Sequence, residues 1–361
     1  MKIHEKYIKR CIDLARNGLG RTYPNPMVGS VVVHKNKIIG EGWHQKAGLP
    51  HAEVNAINSV KNQELLPEST IYVSLEPCSH FGKTPPCSDL IIAKGIKKVV
   101  IGTVDPFAEV AGRGIKKLMD AGCEVAMGIL EKDCRELNKR FFTFHQEKRP
   151  YIILKWAQTS DKFLAPESKE KRAPVWITGS ISKQLVHKWR AEEQAILVGT
   201  NTAIEDNPKL NTRLWKGANP VRVVLDRSGR IPKKSAVLDG SIKTIVFTEN
   251  SDSCSSEIDP DSFQNSENLI FEKIDFETEI APQICEILYK HELQSVIIEG
   301  GAKTLQTFID AGLWDEARVF TGKVRFNSGV KSPQLNGRLV NEQEIADDHL
   351  KIYTNGKHNN I

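Results

Sequence analysis

The residues of this chain whose types and spacing point to chemistry are His51, Glu53, Cys78 and Cys87. His51-Ala52-Glu53 stands at the start of one predicted helix. Glu76-Pro77-Cys78 closes a predicted strand, and Cys87 opens another predicted helix, with the eight residues SHFGKTPP between the two cysteines. One imidazole and two thiolates are a donor set that zinc favours. Three protein ligands leave a fourth position for water, as catalytic zinc requires. Water held there is acid enough to supply hydroxide near neutral pH. Glu53 can reach that water without ligating the metal and move protons between it, a substrate ring and a leaving amine. Each signal alone is weak: HxE arises by chance, a single helical cysteine is usually packing, and a cysteine pair also fits a structural zinc site. The combination, in this order along the chain, points to a hydrolytic deaminase, for which H-x-E…P-C-x-x-C is the general signature. Here eight residues replace the usual two between the cysteines, and the longer loop brings His80 and Lys83 as substrate candidates.

These residues need a scaffold of alternating elements. Apolar residues at helical spacing predict a helix over 5–17, and 28–43 reads as a hairpin with Lys35, Asn36 and Lys37 at its turn. Strands are expected over 70–77, 97–103 and 123–128. Helices are expected over 51–60, from about Pro86, over 114–122, and as one charged helix running to Phe144. Strands alternating with helices predict a three-layer α/β domain. HQEKRP (145–150) reads as a linker to a second α/β domain, which opens on the strand YIILKWAQ (151–158) and continues through the helix 180–193. Four short β-rich runs, AILVGT, VRVVLD, KTIVFT and SVIIEG, follow, with 250–268 a polar surface loop.

Bulk properties fit such an enzyme. A length of 361 residues exceeds one ordinary core. The formal net charge of +5 suits anionic metabolites, and no basic arm marks a nucleic-acid binder. The N-terminus lacks a signal-peptide h-region and no apolar run is long enough for a membrane span, so no membrane partner and a cytoplasmic location are expected. Seven cysteines, an odd number, argue for reduced thiols or a metal site over a disulfide framework.

TYPNPMVGSVVV (22–33), HAEVNAI (51–57), EPCSHFGKTPPC (76–87) and DPFAEVAGRG (105–114) closely resemble the bifunctional deaminase-reductase family of riboflavin biosynthesis. The resemblance continues through KWAQTSD (155–161), VWIT (175–178), LVGTNTAIEDNPKLNTR (197–213) and EGGAKTL (299–305). It implies a cytidine-deaminase-like α/β/α domain over 1–146 and a dihydrofolate-reductase-like α/β domain over 150–361. The first would use zinc to remove the 2-amino group of a diamino-ribosylamino-pyrimidinone 5′-phosphate; the second would use NADPH to reduce the ribosyl side chain to ribityl. A homo-oligomer is also implied. Carried over residue by residue, the substrate contacts implied are Asn25, His80, Lys83, Lys155, Arg190, Leu210, Arg213 and Glu299. The cofactor contacts implied are Ala157, Trp176, Thr202, Asp206, Arg227 and the turn Gly301, Ala302, Lys303 and Thr304. Guanidinium forks suit phosphate, helix-opening amides suit a pyrophosphate, and Arg227 is placed to accept the NADPH 2′-phosphate.

The chain departs from the family at three places. TSDK (159–162) replaces SLDG, Pro174 replaces a frequent serine, and DPF (105–107) replaces DPN. These leave open a chain in which only the deaminase half works. The zinc motif by itself would also suit a nucleic-acid base deaminase with an appended domain, or a non-catalytic zinc protein.

Overall fold

The computed structural model describes residues 2–79, 85–107, 111–168, 174–249 and 268–356. It divides into two compact units, Met1–Lys148 and Arg149–Asn360.

The first unit follows the order α1 (Lys2–Ala15), β1 (Gly29–His34), β2 (Lys37–Trp43), α2 (Ala52–Asn58), β3 (Thr70–Leu75), α3 (Cys87–Ala93), β4 (Lys98–Thr103), α4 (Arg113–Asp120), β5 (Glu124–Ala126), α5 (Glu131–Leu137) and α6 (Lys139–Glu147). Its sheet runs β2-β1-β3-β4-β5, antiparallel through β2, β1 and β3 and parallel from β3 to β5. Alternate residues of the strands serve opposite faces. Val32, Ile71, Val73 and Ile101 meet α2, α3 and α4, whereas Val31, Tyr72 and Val100 meet α1 and α5. The β1–β2 hairpin turns on Lys35 and Asn36, at φ 46° and 63°, the left-handed pair that a two-residue hairpin needs.

Two details differ from the sequence reading. The charged helix before Phe144 is two helices, broken at Asn138. Its buried side chain donates to the Met27 carbonyl and accepts from the Met27 amide, both at 2.8 Å, and so is committed to tertiary contacts. The expected linker is also shorter, because α6 continues through His145 and Glu147 and ends on Lys148 at φ 57°. His145 packs on Phe141, ring centres 4.3 Å apart, which keeps that turn helical. The polar loop 250–267 lies outside the described residues.

The second unit contains β6 (Tyr151–Gln158), β7 (Phe163–Ala165), α7 (Ser180–Glu192), β8 (Ala195–Val198), α8 (Thr200–Asp206), β9 (Val221–Leu225), β10 (Thr244–Thr248), β11 (Leu269–Lys273), α9 (Ile280–Lys290), β12 (Ser295–Gly300), α10 (Ala302–Asp310), β13 (Glu316–Thr321), β14 (Val330–Lys331), β15 (Arg338–Ile345) and β16 (Asp348–Thr354). Its nine-stranded sheet has the order β11-β10-β9-β8-β12-β6-β13-β16-β15 and is parallel from β11 to β13. Ile152, Leu154, Val296 and Ile298 face α9 and α10, while Tyr151, Ile153 and Ile297 face Val186 and Trp189 of α7. Central strands buried on both faces explain the continuous apolar runs in the sequence. In such sheets ligands bind beyond the carboxyl ends of the strands.

Candidate active sites

In the first unit, the amino end of α2 and the loop after β3 converge. His51 Nδ1 lies 3.5 Å from Cys78 Sγ and 3.3 Å from Cys87 Sγ, and the three donor atoms are within 4.8 Å of one another. Zinc bonds of about 2.3 Å to sulfur and 2.0–2.1 Å to nitrogen, arranged tetrahedrally, imply N···S separations near 3.5 Å. The residues present therefore fit that ion in spacing and in donor chemistry. A hydrogen bond from the Cys87 thiol draws the Cys78 thiol down against the effect of burial, with His51 adding to it. Cys87, keeping the proton, is driven up. The hydrogen bond with Cys78 likewise raises His51. Three donors that hold a proton among themselves in this way would give it up to a metal.

Glu53 sits in the first turn of α2 and is only 3% exposed. Burial, and then the neighbouring Cys78, push its carboxyl up to about 7. A carboxyl in that range can both take and return a proton at neutral pH.

Asn25 is close by, its Nδ2 3.1 Å from His44 Nε2. His44, which closely follows β2, is a residue the sequence reading missed. Its Nδ1 lies 3.2 Å from the Pro50 carbonyl, and its ring meets that of His51 edge-on at 5.4 Å. Its position beside the end of a strand and seven residues before His51 was the available signal. Glu76 was missed too. Its buried carboxylate accepts from the amides of Asp105, Gly112, Gly114 and Ile115, tying the loop after β4 to the strand end that carries Cys78. In that loop Phe107, where the family has asparagine, packs on His145 at 5.1 Å. His80 and Lys83 lie outside the described residues.

In the second unit, Glu299 near the end of β12 is the centre of a charge cluster. Arg190 of α7 donates to both its oxygens, at 2.9 and 2.6 Å, and Lys155 Nζ of β6 is 3.8 Å away. Burial alone would raise the Glu299 carboxyl, but Arg190 and Lys155 hold it at about 2. Burial lowers Lys155, with Arg190 adding and Glu299 opposing. Asn211 braces the two arginines: its backbone carbonyl accepts from Arg190 and its side-chain oxygen from Arg213. His187, one helical turn before Arg190, was not singled out in sequence. It is buried, its Nδ1 has no partner among the described residues, and burial together with Arg190 and Arg213 lowers it to about 4. With His187 neutral, Lys155, Arg190 and Arg213 against Glu299 leave positive charge for an anion.

A second group forms beside this cluster. A Cβ on Gly300 would come within 2.9 Å of the Thr202 side chain, and Gly301 adopts φ 78° as it opens α10. Thr202 in α8, Gly301 and Thr304 thus crowd one turn, with Ala302 and Lys303 in the first turn of the same helix. The bare glycine turn and the helix amides fit a pyrophosphate. Ala157 lies near the end of β6, and Asp206 closes α8. Trp176 is 55% exposed, with Lys183 Nζ 3.6 Å above its ring, so it is not a core tryptophan. Leu210 is 2% exposed and packs with Ile196, Val198 and Val224. Its side chain is part of the core, and its backbone is held at φ 48°. Arg227 stands apart, bonded to Glu249 and Glu277.

A zinc-deaminase domain and a reductase domain of the kind found in flavin synthesis are what these two folds and sites define. The cytidine and deoxycytidylate deaminase zinc-binding region matches residues 1–103, and the RibD C-terminal domain matches 150–324. The chain is 39% identical over 343 residues to riboflavin biosynthesis protein RibD of Aquifex aeolicus, covering 94% of this chain and 93% of that one. It is 38% identical to the RibD of Bacillus amyloliquefaciens, covering 92% and 88%. A crystal structure from Thermotoga maritima, described as a diaminohydroxyphosphoribosylaminopyrimidine deaminase/5-amino-6-(5-phosphoribosylamino)uracil reductase, superposes with a TM-score of 0.85 at 36% identity, covering 98% of this chain and 99% of that one. The chain belongs to the RibD family of riboflavin biosynthesis proteins.

Proposed function

We propose that this protein carries out two successive steps of riboflavin synthesis. It hydrolytically deaminates 2,5-diamino-6-ribosylamino-4(3H)-pyrimidinone 5′-phosphate, and it then reduces the ribosyl side chain with NADPH to give 5-amino-6-ribitylaminouracil 5′-phosphate. We assign the first step to residues 1–146 and the second to 150–361. The observation that carries the reading is the convergence of His51, Cys78 and Cys87 at zinc spacing around a buried Glu53.

His51, Cys78 and Cys87 would hold zinc, whose chemistry is to acidify a water at its open position. Glu53 takes the proton that this water loses and delivers it to a ring nitrogen, then takes the remaining proton from the hydroxyl added to the ring carbon and passes it to the amino group, which leaves as ammonia. Asn25, oriented by His44, holds the pyrimidinone edge, with His80 and Lys83 as further contacts. In the second unit NADPH supplies the hydride, delivered to C1′ of the sugar. Lys155, Arg190, Arg213 and Glu299 bind and orient the phosphorylated sugar, together with the backbone at Leu210. Gly301, Ala302, Lys303 and Thr304, with Ala157, Trp176, Thr202, Asp206 and Arg227, bind the cofactor. The work of these groups is positioning and exclusion of water.

No described helix is long and apolar enough to cross a membrane. We infer a cytoplasmic homo-oligomer. The free thiols of the six described cysteines support the compartment, and the family resemblance supports the assembly. Two assays on the purified chain test the function: ammonia release from the diamino substrate, and NADPH oxidation with the deaminated intermediate. Both are expected to turn over. Absence of either at any substrate concentration would remove that half of the proposal.

A further inference from the structure

Arg227 follows β9, Glu249 follows β10, and Glu277 lies beyond β11, so the three charges stand at the carboxyl ends of adjacent parallel strands. Arg227 Nε donates to Glu249 Oε2 at 2.9 Å and its Nη2 donates to Glu249 Oε1 at 3.0 Å and to Glu277 Oε1. The frame beneath them is fixed. The Arg227 carbonyl accepts from the Glu249 amide at 3.1 Å and from Thr248 Oγ1 at 3.2 Å, and the Ile274 amide donates to the Thr248 carbonyl.

In the strand order β10-β9-β8-β12, the glycine turn suited to the pyrophosphate follows β12. The end of β9 lies two strands on, about 10 Å away at the usual strand spacing, within the span of a dinucleotide whose pyrophosphate sat on that turn. In other dinucleotide-binding α/β folds a carboxylate recognises the ribose 2′-hydroxyl and an arginine accepts a 2′-phosphate. This chain presents both. One guanidinium against two carboxylates leaves a net charge of −1, which opposes a phosphate dianion and suits a hydroxyl.

We propose that Arg227, Glu249 and Glu277 together read the 2′ position of the dinucleotide. The two carboxylates compete with the 2′-phosphate for Arg227, and the reductase therefore distinguishes NADPH from NADH only weakly. The proposal rests on the second unit being a nicotinamide-dependent reductase.

Binding of NADPH and of NADH to the full chain, followed by nucleotide fluorescence, tests it without turnover. All three side chains are more than a third exposed, so substitutions there should leave the fold intact, which a circular-dichroism melt checks. The native chain should bind the two nucleotides within about tenfold of each other, a gap of ~1.4 kcal/mol. E249A/E277A should tighten NADPH about tenfold or more and leave NADH nearly unchanged. R227A should weaken NADPH about tenfold or more and spare NADH. A native preference for NADPH above a hundredfold that the double variant does not alter would overturn the proposal, as would an R227A variant that binds both nucleotides equally poorly or both normally. If neither nucleotide binds the native chain, the reductase reading itself falls, and this proposal with it.

Discussion

The two sites are built on different principles. In the first unit, His51, Glu53, Cys78 and Cys87 come from two neighbouring segments, and the donors of the histidine and the two cysteines crowd within a few ångströms. Their protonation is set by one another: burial and Cys78 raise Glu53, and the two cysteines divide one proton. In the second unit, Lys155, His187, Arg190, Asn211, Arg213 and Glu299 come from β6, α7, the loop after α8 and β12. There the charges largely answer one another, as in the pairing of Arg190 with Glu299. A metal site must satisfy a short coordination geometry, so its residues are close in sequence and few can be exchanged. A site that positions a phosphate and a dinucleotide gathers its groups from strand ends across a sheet, and the work is spread over many of them.

This contrast predicts separable failures. The largest effect should come from Glu53→Gln, which keeps the shape and removes the proton carrier. Ammonia release should fall by about 10²–10⁴-fold, zinc content should stay near that of the native chain, and NADPH oxidation with the deaminated intermediate should be unchanged. Removing zinc with a chelator should silence the same half alone. If NADPH oxidation by Glu53→Gln fell in parallel, the two sites would not be independent.

Glu299→Gln should act on the other half. It leaves Arg190 and Lys155, both largely buried, without their counter-ion. Breaking a buried pair in this way costs about 3–5 kcal/mol, and reductase turnover should be lost while ammonia release persists. The native pairing also has a signed pH dependence. The folded carboxyl, at about 2, lies below its ordinary value of 4.5, so its contribution is complete above 4.5 and is lost as pH falls toward 2. Urea unfolding of native protein and variant across that range should show the difference between them shrinking as pH falls.

His187 makes a smaller and opposite kind of test. It is buried neutral, at about 4 against an ordinary 6.5. Between those values the unfolded chain takes up a proton that the folded one refuses, so the native protein loses stability as pH drops from 6.5 to 4. Gln is similar in size and does not titrate. His187→Gln should therefore flatten this part of the profile. Five of the six tryptophans lie in the second unit, so tryptophan fluorescence in urea reports the relevant transition. Parallel profiles for native and variant would mean that His187 is not buried uncharged.

What could be read from sequence follows the same division. The zinc set was legible because its donors are types with few other reasons to recur in that order, and the β-rich runs were legible because buried parallel strands are apolar throughout. His44 and Glu76 escaped notice because their roles depend on hydrogen bonds to Asn25 and to the loop after β4. For Glu76 nothing in the local spacing announces such partners, and for His44 the spacing to His51 was the one signal. The break at Asn138 was invisible because Met27, which captures its side chain, is distant in sequence. Leu210 shows the reverse: family position marked it, yet its side chain is core.

The smallest expected effect concerns the one departure from the family whose physical cause the structure displays. TSDK stands where the family has SLDG, and the lost glycine falls at Lys162, whose φ is 65°. The turn keeps its shape through other bonds. Thr159 Oγ1 accepts from the Phe163 amide at 2.9 Å, the Lys162 amide donates to the Thr159 carbonyl at 3.0 Å, and Asp161 accepts from the amides of Phe326 and Asn327. A residue with a Cβ costs about 1–2 kcal/mol in the left-handed region, and glycine's greater freedom in the unfolded chain returns part of that. Lys162→Gly should thus stabilise the second unit by about 1 kcal/mol in urea unfolding. NADPH oxidation should be unaltered, since the bonded turn already holds β6 in place. A gain in turnover without a gain in stability would show instead that the lysine had loosened the end of β6, and that the reductase half is the weaker for it.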